Sequence, residues 1–174
     1  MDPHISTAYA SDIDSLDVLH NLAHGARLGN AFGLDEQHLE AVYTLASGQY
    51  QQGRYADALK LFAFITFHDQ TFMKAFKGIG CCLQMLGRYQ EALIYLGLAI
   101  IDDDTDMQIA VQIAECLIHS GQREDARTLL KRVSRELAHG DSNEYTRRKA
   151  QGLLELLSES APAQRSAAVD ESLL

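Results

Sequence analysis

Two prolines, three cysteines and fifteen basic residues among 174 positions set the first limits. With so little proline, nothing forces long helices to break. The cysteines offer no spaced pair: Cys81 and Cys82 are neighbours, about 100° apart on a helix, and Cys116 follows Cys82 after 34 residues. That pattern reads as core rather than as a bridge or a zinc site, and free thiols fit a reducing cytoplasm. Fifteen Lys and Arg against 24 Asp and Glu leave a net charge of −9. Such a balance argues against nucleic acid, whose binding rests on neutralised phosphates, and favours solubility. No apolar run reaches the roughly 18 residues needed to cross a bilayer, so no membrane insertion is expected. Residues 1–25 have no basic start followed by an apolar run, so no secretory signal is expected.

Catalytic patterns are missing as well. The seven histidines are scattered; His20 and His24 are four residues apart, without the adjacent glutamate of a zinc-enzyme helix. Gly78-Ile-Gly80 lacks the strand and further glycine of a nucleotide loop. The run Asp102-Asp103-Asp104 lacks the glycine and distal glutamate of a calcium loop and reads as a solvated turn. Nothing assembles a nucleophile, a base and an oxyanion donor. The expectation is a protein that is not an enzyme and uses no metal or cofactor.

What is present is a repeat. Gly53-Arg-Tyr-Ala-Asp-Ala-Leu59 returns as Gly87-Arg-Tyr-Gln-Glu-Ala-Leu93 and, altered, as Gly121-Gln-Arg-Glu-Asp-Ala-Arg127. Glycines 53, 87 and 121 and alanines 58, 92 and 126 keep one step of 34 residues. That step is the length of a tetratricopeptide unit, two antiparallel helices joined by a turn. The glycine ends the first helix in a left-handed conformation that needs no Cβ, and the alanine marks a close helix approach. Each unit has an apolar face it cannot hide alone, so units stack. The fold class expected is all-α: three tandem repeats forming an α-solenoid, an N-terminal helical segment and a C-terminal capping helix.

In chain order, residues 1–38 form the N-terminal segment. Its helix runs to about Gly25 with an apolar stripe of Ile13, Leu16, Leu19, Leu22 and Ala23, and a short turn follows around Ala26 to Phe32. The stripe packs on the first repeat or on another copy of the chain. The repeats span 39–72, 73–106 and 107–140. Residues 141–158 form the capping helix, with Tyr145, Ala150, Leu153, Leu154 and Leu157 on its covering face. The Ser-, Ala-, Pro- and Gln-rich residues 159–174 are a disordered tail.

Repeat positions 7, 8, 20, 24 and 27 are expected in the core. They are Leu45, Ala46, Ala58, Phe62 and Ile65, then Ile79, Gly80, Ala92, Leu96 and Ala99, then Ile113, Ala114, Ala126, Leu130 and Val133. Positions 2, 5, 9, 12 and 13 of the first helices are expected to line a concave groove. They read Glu40, Tyr43, Ser47, Tyr50 and Gln51, then Lys74, Lys77, Cys81, Gln84 and Met85, then Gln108, Val111, Glu115, Ile118 and His119. Tyrosines supply anchor area with a polar tip, and amides and lysines bond to a peptide backbone.

Three stretches resemble one family. Leu39-Glu-Ala-Val-Tyr-Thr-Leu-Ala with Gln49-Tyr-Gln-Gln-Gly-Arg-Tyr-Ala-Asp-Ala, Phe76-Lys-Gly-Ile-Gly-Cys-Cys-Leu-Gln84 with Leu86-Gly-Arg-Tyr-Gln-Glu-Ala-Leu, and Ala114-Glu-Cys116 ahead of Ser120-Gly121 are similar to the class II, or translocator, chaperones of bacterial type III secretion. The layout matches over about residues 12–158, although Arg123 replaces the usual aromatic or apolar turn residue. The resemblance implies a bacterial cytoplasmic chaperone that keeps hydrophobic translocator proteins soluble and secretion-competent by holding an extended N-terminal client segment in the groove. It also implies a homodimer formed through the N-terminal helix, at Ile13, Leu16, Leu19 and Leu22. Carried over residue by residue, the groove aromatics fall on Tyr43, Tyr50 and Tyr55, with Phe67 and Met85 as neighbouring apolar contacts. The alternative is a general peptide-binding scaffold, such as one gripping a carboxyl terminus, or a regulatory adaptor.

The repeat alignment carries its own test. Ala92→Leu overpacks the joint between two helices and lowers stability by about 1–3 kcal/mol. Thermal denaturation reads it, and an unchanged midpoint contradicts the alignment.

Overall fold

The computed structural model describes residues 27–138 and 144–159. The stripe Ile13, Leu16, Leu19 and Leu22 and the tail beyond Glu159 lie outside the described residues. Among the described residues every regular element is a helix: α1 Leu28–Ala31, α2 Glu36–Gln51, α3 Tyr55–His68, α4 Met73–Met85, α5 Tyr89–Asp102, α6 Met107–His119, α7 Arg123–Leu137 and α8 Glu144–Glu159. The chain divides into two compact units, Met1–Ala75 and Phe76–Leu174, with the division inside α4.

In the first unit α1 and α2 both pack on α3. α2 begins three residues before the expected Leu39 because Asp35 caps it. The Asp35 carboxylate accepts from the His38 N–H at 2.9 Å, and His38 Nδ1 accepts from the Asp35 N–H at 3.3 Å, so histidine does the work usually done by glutamate in a capping box. α2 ends at the first repeat glycine. Gly53 has φ +76°, its N–H bonds to the Tyr50 carbonyl, and the Arg54 N–H reaches back to Gln49 at 2.9 Å. This is a Schellman closure, and it recurs at Gly87 and Gly121 with the same pair of bonds. The core of this unit is Leu39, Ala46, Ala58, Phe62, Ile65 and Ala75.

The segment before α2 is tied down by charge. Asp69, just past α3 and only 1% exposed, accepts from Thr71 N–H at 2.9 Å and Thr71 Oγ1 at 2.6 Å, and its other oxygen lies 3.1 Å from the Arg27 guanidinium. Gly29 sits under this clamp: a Cβ there would meet the Leu34 carbonyl oxygen at 3.2 Å and the His68 side chain at 3.4 Å.

In the second unit α6 packs on α5, α7 on α6, and α8 on both α7 and α6. One cluster, Ala110, Val111, Ala114, Ala126, Leu130, Val133, Leu137, Ala150 and Leu157, runs through α6, α7 and α8. The capping helix covers it with Ala150 and Leu157 buried and Leu153 and Leu154 packed at the margin. Tyr145 does not join them and is 65% exposed. The buried face follows 146, 150, 153 and 157, and Tyr145 stands one residue, or 100°, off it; Thr146 takes the place. Arg127 explains the alteration of the third motif. It stands where the first two repeats have Leu59 and Leu93, and it donates to the Leu157 carbonyl at 2.8 Å, closing the end of α8.

Thirteen of the fifteen expected core positions are buried, and two are not. Ile113 is half-buried. Leu45 is 54% exposed because no described residue packs over that face of α2. Gly80 shows how tight the buried joints are. A Cβ at Gly80 would stand 2.6 Å from Leu96 Cγ, and Leu96 is itself wholly buried. Gly80→Ala therefore lowers stability by about 1–3 kcal/mol, although alanine has the better helix propensity. Chemical denaturation measures this, and a more stable variant means that Leu96 yields.

Candidate functional site

The first unit gathers aromatic rings along α2. Tyr43 is half-buried, its ring edge-on to Phe62 at 5.5 Å and tilted against Phe72 at 5.7 Å. Lys74 Nζ stands over both rings, 5.9 Å from Tyr43 and 5.7 Å from Phe72, and is held by Glu40 at 2.9 Å. Two turns along, Tyr50 meets Tyr55 edge-on at 5.2 Å, each half-buried. Ser47, between Tyr43 and Tyr50 in sequence, is also half-buried. Neither Tyr43 nor Tyr50 is sealed: each leans on a ring neighbour and keeps part of its surface in solvent.

Phe67 is not brought to this group. It lies two residues, or 200°, from the buried Ile65, on the face of α3 turned away from Phe62. There it meets His68 edge-on at 5.2 Å, beside Phe64 and Phe32, which also contact that imidazole. Phe67 was expected as a neighbouring contact through the family pattern; its helical position separates it from Tyr43.

In the second unit the expected residues divide into a polar chain and a core residue. Lys77 Nζ is 2.6 Å from Asp106 Oδ2, while Asp106 Oδ1 caps α6 by accepting from the Gln108 and Ile109 N–H groups at 3.0 and 3.2 Å. Cys81 Sγ accepts from Gln112 Nε2 at 3.4 Å. Gln84 Nε2 donates to Glu115 Oε2 at 2.9 Å, and Lys149 of the capping helix reaches the same oxygen at 2.9 Å. Met85 is exposed, and the His119 ring stacks on Tyr89 at 4.4 Å, nearly parallel. Val111, by contrast, is 1% exposed and belongs to the core cluster. It was expected to face a ligand; the capping helix and α7 close over it instead. Lys149 was missed, since nothing in its local sequence marks a reach back to α6.

All three cysteines sit in this unit. Burial pushes the Cys82 thiol up to about 12 and, with Glu115 nearby, Cys116 up to about 11; burial raises Cys81 too. Thiolates are the reactive form, so these groups are inert near neutrality. Iodoacetamide at pH 8 should label the folded chain slower than the unfolded chain by about a hundredfold. Equal rates contradict the packing.

The tetratricopeptide repeat family matches residues 39–69 and 83–151. The low calcium response locus protein H of Yersinia pestis is 35% identical over 88 residues, 51% of this chain and 52% of that protein. The chain thus spans about half the length of the curated relatives it matches. Among solved structures, the translocator chaperone SycD of Yersinia enterocolitica type III secretion matches with a TM-score of 0.66 and 26% identity, covering 76% of this chain and 98% of SycD. PcrH of Pseudomonas aeruginosa, solved in complex with the chaperone binding region of PopB, matches with a TM-score of 0.64 and 30% identity, covering 70% of this chain and 98% of PcrH.

Proposed function

The chain belongs to the class II translocator chaperones of bacterial type III secretion, a tetratricopeptide-repeat family, and on that premise we propose that it binds an extended segment of a hydrophobic translocator protein in the bacterial cytoplasm and keeps that client soluble until secretion. Each unit offers client-facing residues of its own: Tyr43, Ser47, Tyr50, Tyr55 and Lys74 in the first, and Lys77, Cys81, Gln84, Met85 and Glu115 in the second. The stripe of Ile13, Leu16, Leu19 and Leu22 joins two copies of the chain. PcrH, in its complex with a client region of PopB, supplies the precedent for the partner class.

The observation that carries this reading is the state of Tyr43 and Tyr50. Each is oriented by a ring neighbour yet keeps exposed surface, which makes a pre-ordered anchor that loses little entropy on binding. An extended client also brings unpaired backbone groups, which amides such as Gln84 satisfy. A scaffold that grips a carboxyl terminus needs cations free to receive it. Lys74, Lys77 and Lys149 each already hold a carboxylate, which counts against that alternative.

Co-expression with a translocator tests the proposal. Tyr43→Ala/Tyr50→Ala should cut the soluble client by about tenfold, as the loss of one good aromatic anchor allows, with helix content unchanged by circular dichroism. Client solubility equal to that with the parent chain removes these tyrosines from the binding face.

A further inference from the structure

The turns after α3 and α5 each place a residue that lies outside the helical pattern. Asp69 accepts from Thr71 N–H and Thr71 Oγ1, and the Phe72 N–H donates to the Asp69 carbonyl at 3.3 Å. Asp103, Thr105 and Asp106 build the same turn, the last bond again at 3.3 Å. Within its own unit, each turn sets its closing residue against a helix residue 29 positions earlier. Asp106 meets Lys77 at 2.6 Å, and the Phe72 ring meets that of Tyr43 at 5.7 Å. One place in the repeat thus carries an ion pair in the second unit and a pair of rings in the first.

Both rings are held from behind and open in front. Phe62, a core residue, backs the Tyr43 ring, and the Asp69 carboxylate that fixes the Phe72 turn is itself buried and held by Arg27. Phe72 and Tyr43 are each half-buried, with their planes tilted by 45°. Lys74 marks their accessible side. Its Nζ stands over both rings, on a side chain that is 65% exposed, so the two rings present surface in one direction. Glu40 holds that ammonium, but both partners are open to water and such a pair parts at little cost. The result is a rigid aromatic notch under a movable cation.

On the reading that Tyr43 meets the client, we propose that Phe72 meets it too, and that the two rings form a notch for one apolar side chain of the extended segment while Lys74 swings aside. The occupant is the client because the notch is continuous with Tyr43 and Lys74, which are client-facing residues themselves. Its side chain is apolar because a charge or amide set between two rings loses water without gaining a partner. Preformed walls take it without an ordering cost of their own. The matching place in the second unit, Lys77 with Asp106, has no ring to offer and suits the polar backbone of the client instead.

The test is site-specific photo-cross-linking in the full chain co-expressed with a translocator. The photoreactive amino acid p-benzoylphenylalanine replaces the residue at position 72 in one sample and at position 43 in another. Adducts with the translocator are expected from both positions. An adduct from 43 with none from 72 overturns the role of Phe72 and leaves that of Tyr43 standing; no adduct from either overturns both. Affinity for the co-purified translocator then reads the chemistry of the notch. Phe72→Asp, which copies the second unit, should weaken binding by about tenfold, and Phe72→Tyr, which keeps the ring, by less than about twofold. Equal affinity in Phe72→Asp and the parent overturns the proposal. Should Phe72→Asp fail to fold, the cross-link, whose bulky ring preserves the aromatic wall, still decides.

Discussion

Everything in the structure depends on a helix pair that closes within a fixed 34-residue step. The closure has two parts. A left-handed glycine with its paired Schellman bonds stops the first helix at Gly53, Gly87 and Gly121, and a small residue on the second helix lets the two axes approach. Ala58, Ala92 and Ala126 have no exposed surface, and at Gly80 even a methyl group would enter the space of Leu96. Because the approach is close, the first helices present short rows of side chains at regular spacing. The candidate binding residues are the outer members of those rows.

The electrostatics of those rows are quieter than the composition indicates. Lys74, Lys77 and Lys149 each meet one carboxylate, from Glu40, Asp106 and Glu115. Pairs with this much exposure contribute little to folding, about 0–1 kcal/mol each. Their effect is on recognition. With each charge answered inside its own unit, the faces present rings, amides and methionine, and demand no charge from a ligand. This suits a client chosen for apolar, extended chain better than one chosen for an end group.

The helices and the core were legible in the sequence to the extent that they repeat. The Gly and Ala steps located the turns, and thirteen of fifteen core positions followed from the period alone. The errors lie where a repeat meets something that is not a repeat. Leu45 is exposed because the first repeat has no described predecessor over that face of α2, and Val111 is buried because the last one is covered by α8. Tyr145 was misassigned by one residue because the capping helix has no partner in the repeat to fix its phase. Lys149 and Arg127 were invisible for the same reason: each reaches between α8 and the last repeat, a contact encoded once and not three times.

That contrast gives departures from the period a physical reading. Where a repeat position changes chemistry, the change tracks a new neighbour: Leu59 and Leu93 become Arg127 where a helix end needs its carbonyl closed. The converse case is a position that keeps its chemistry while its neighbour is gone. Asp103 retains the whole turn of Asp69, threonine included, with no Arg27 to complete it. Apolar residues at 98 and 101 persist beside it although solvent gains nothing from them. What changes is the cation: a guanidinium is seated on Asp69, whereas Asp103 feels only the field of Lys77, whose ammonium is bonded to Asp106.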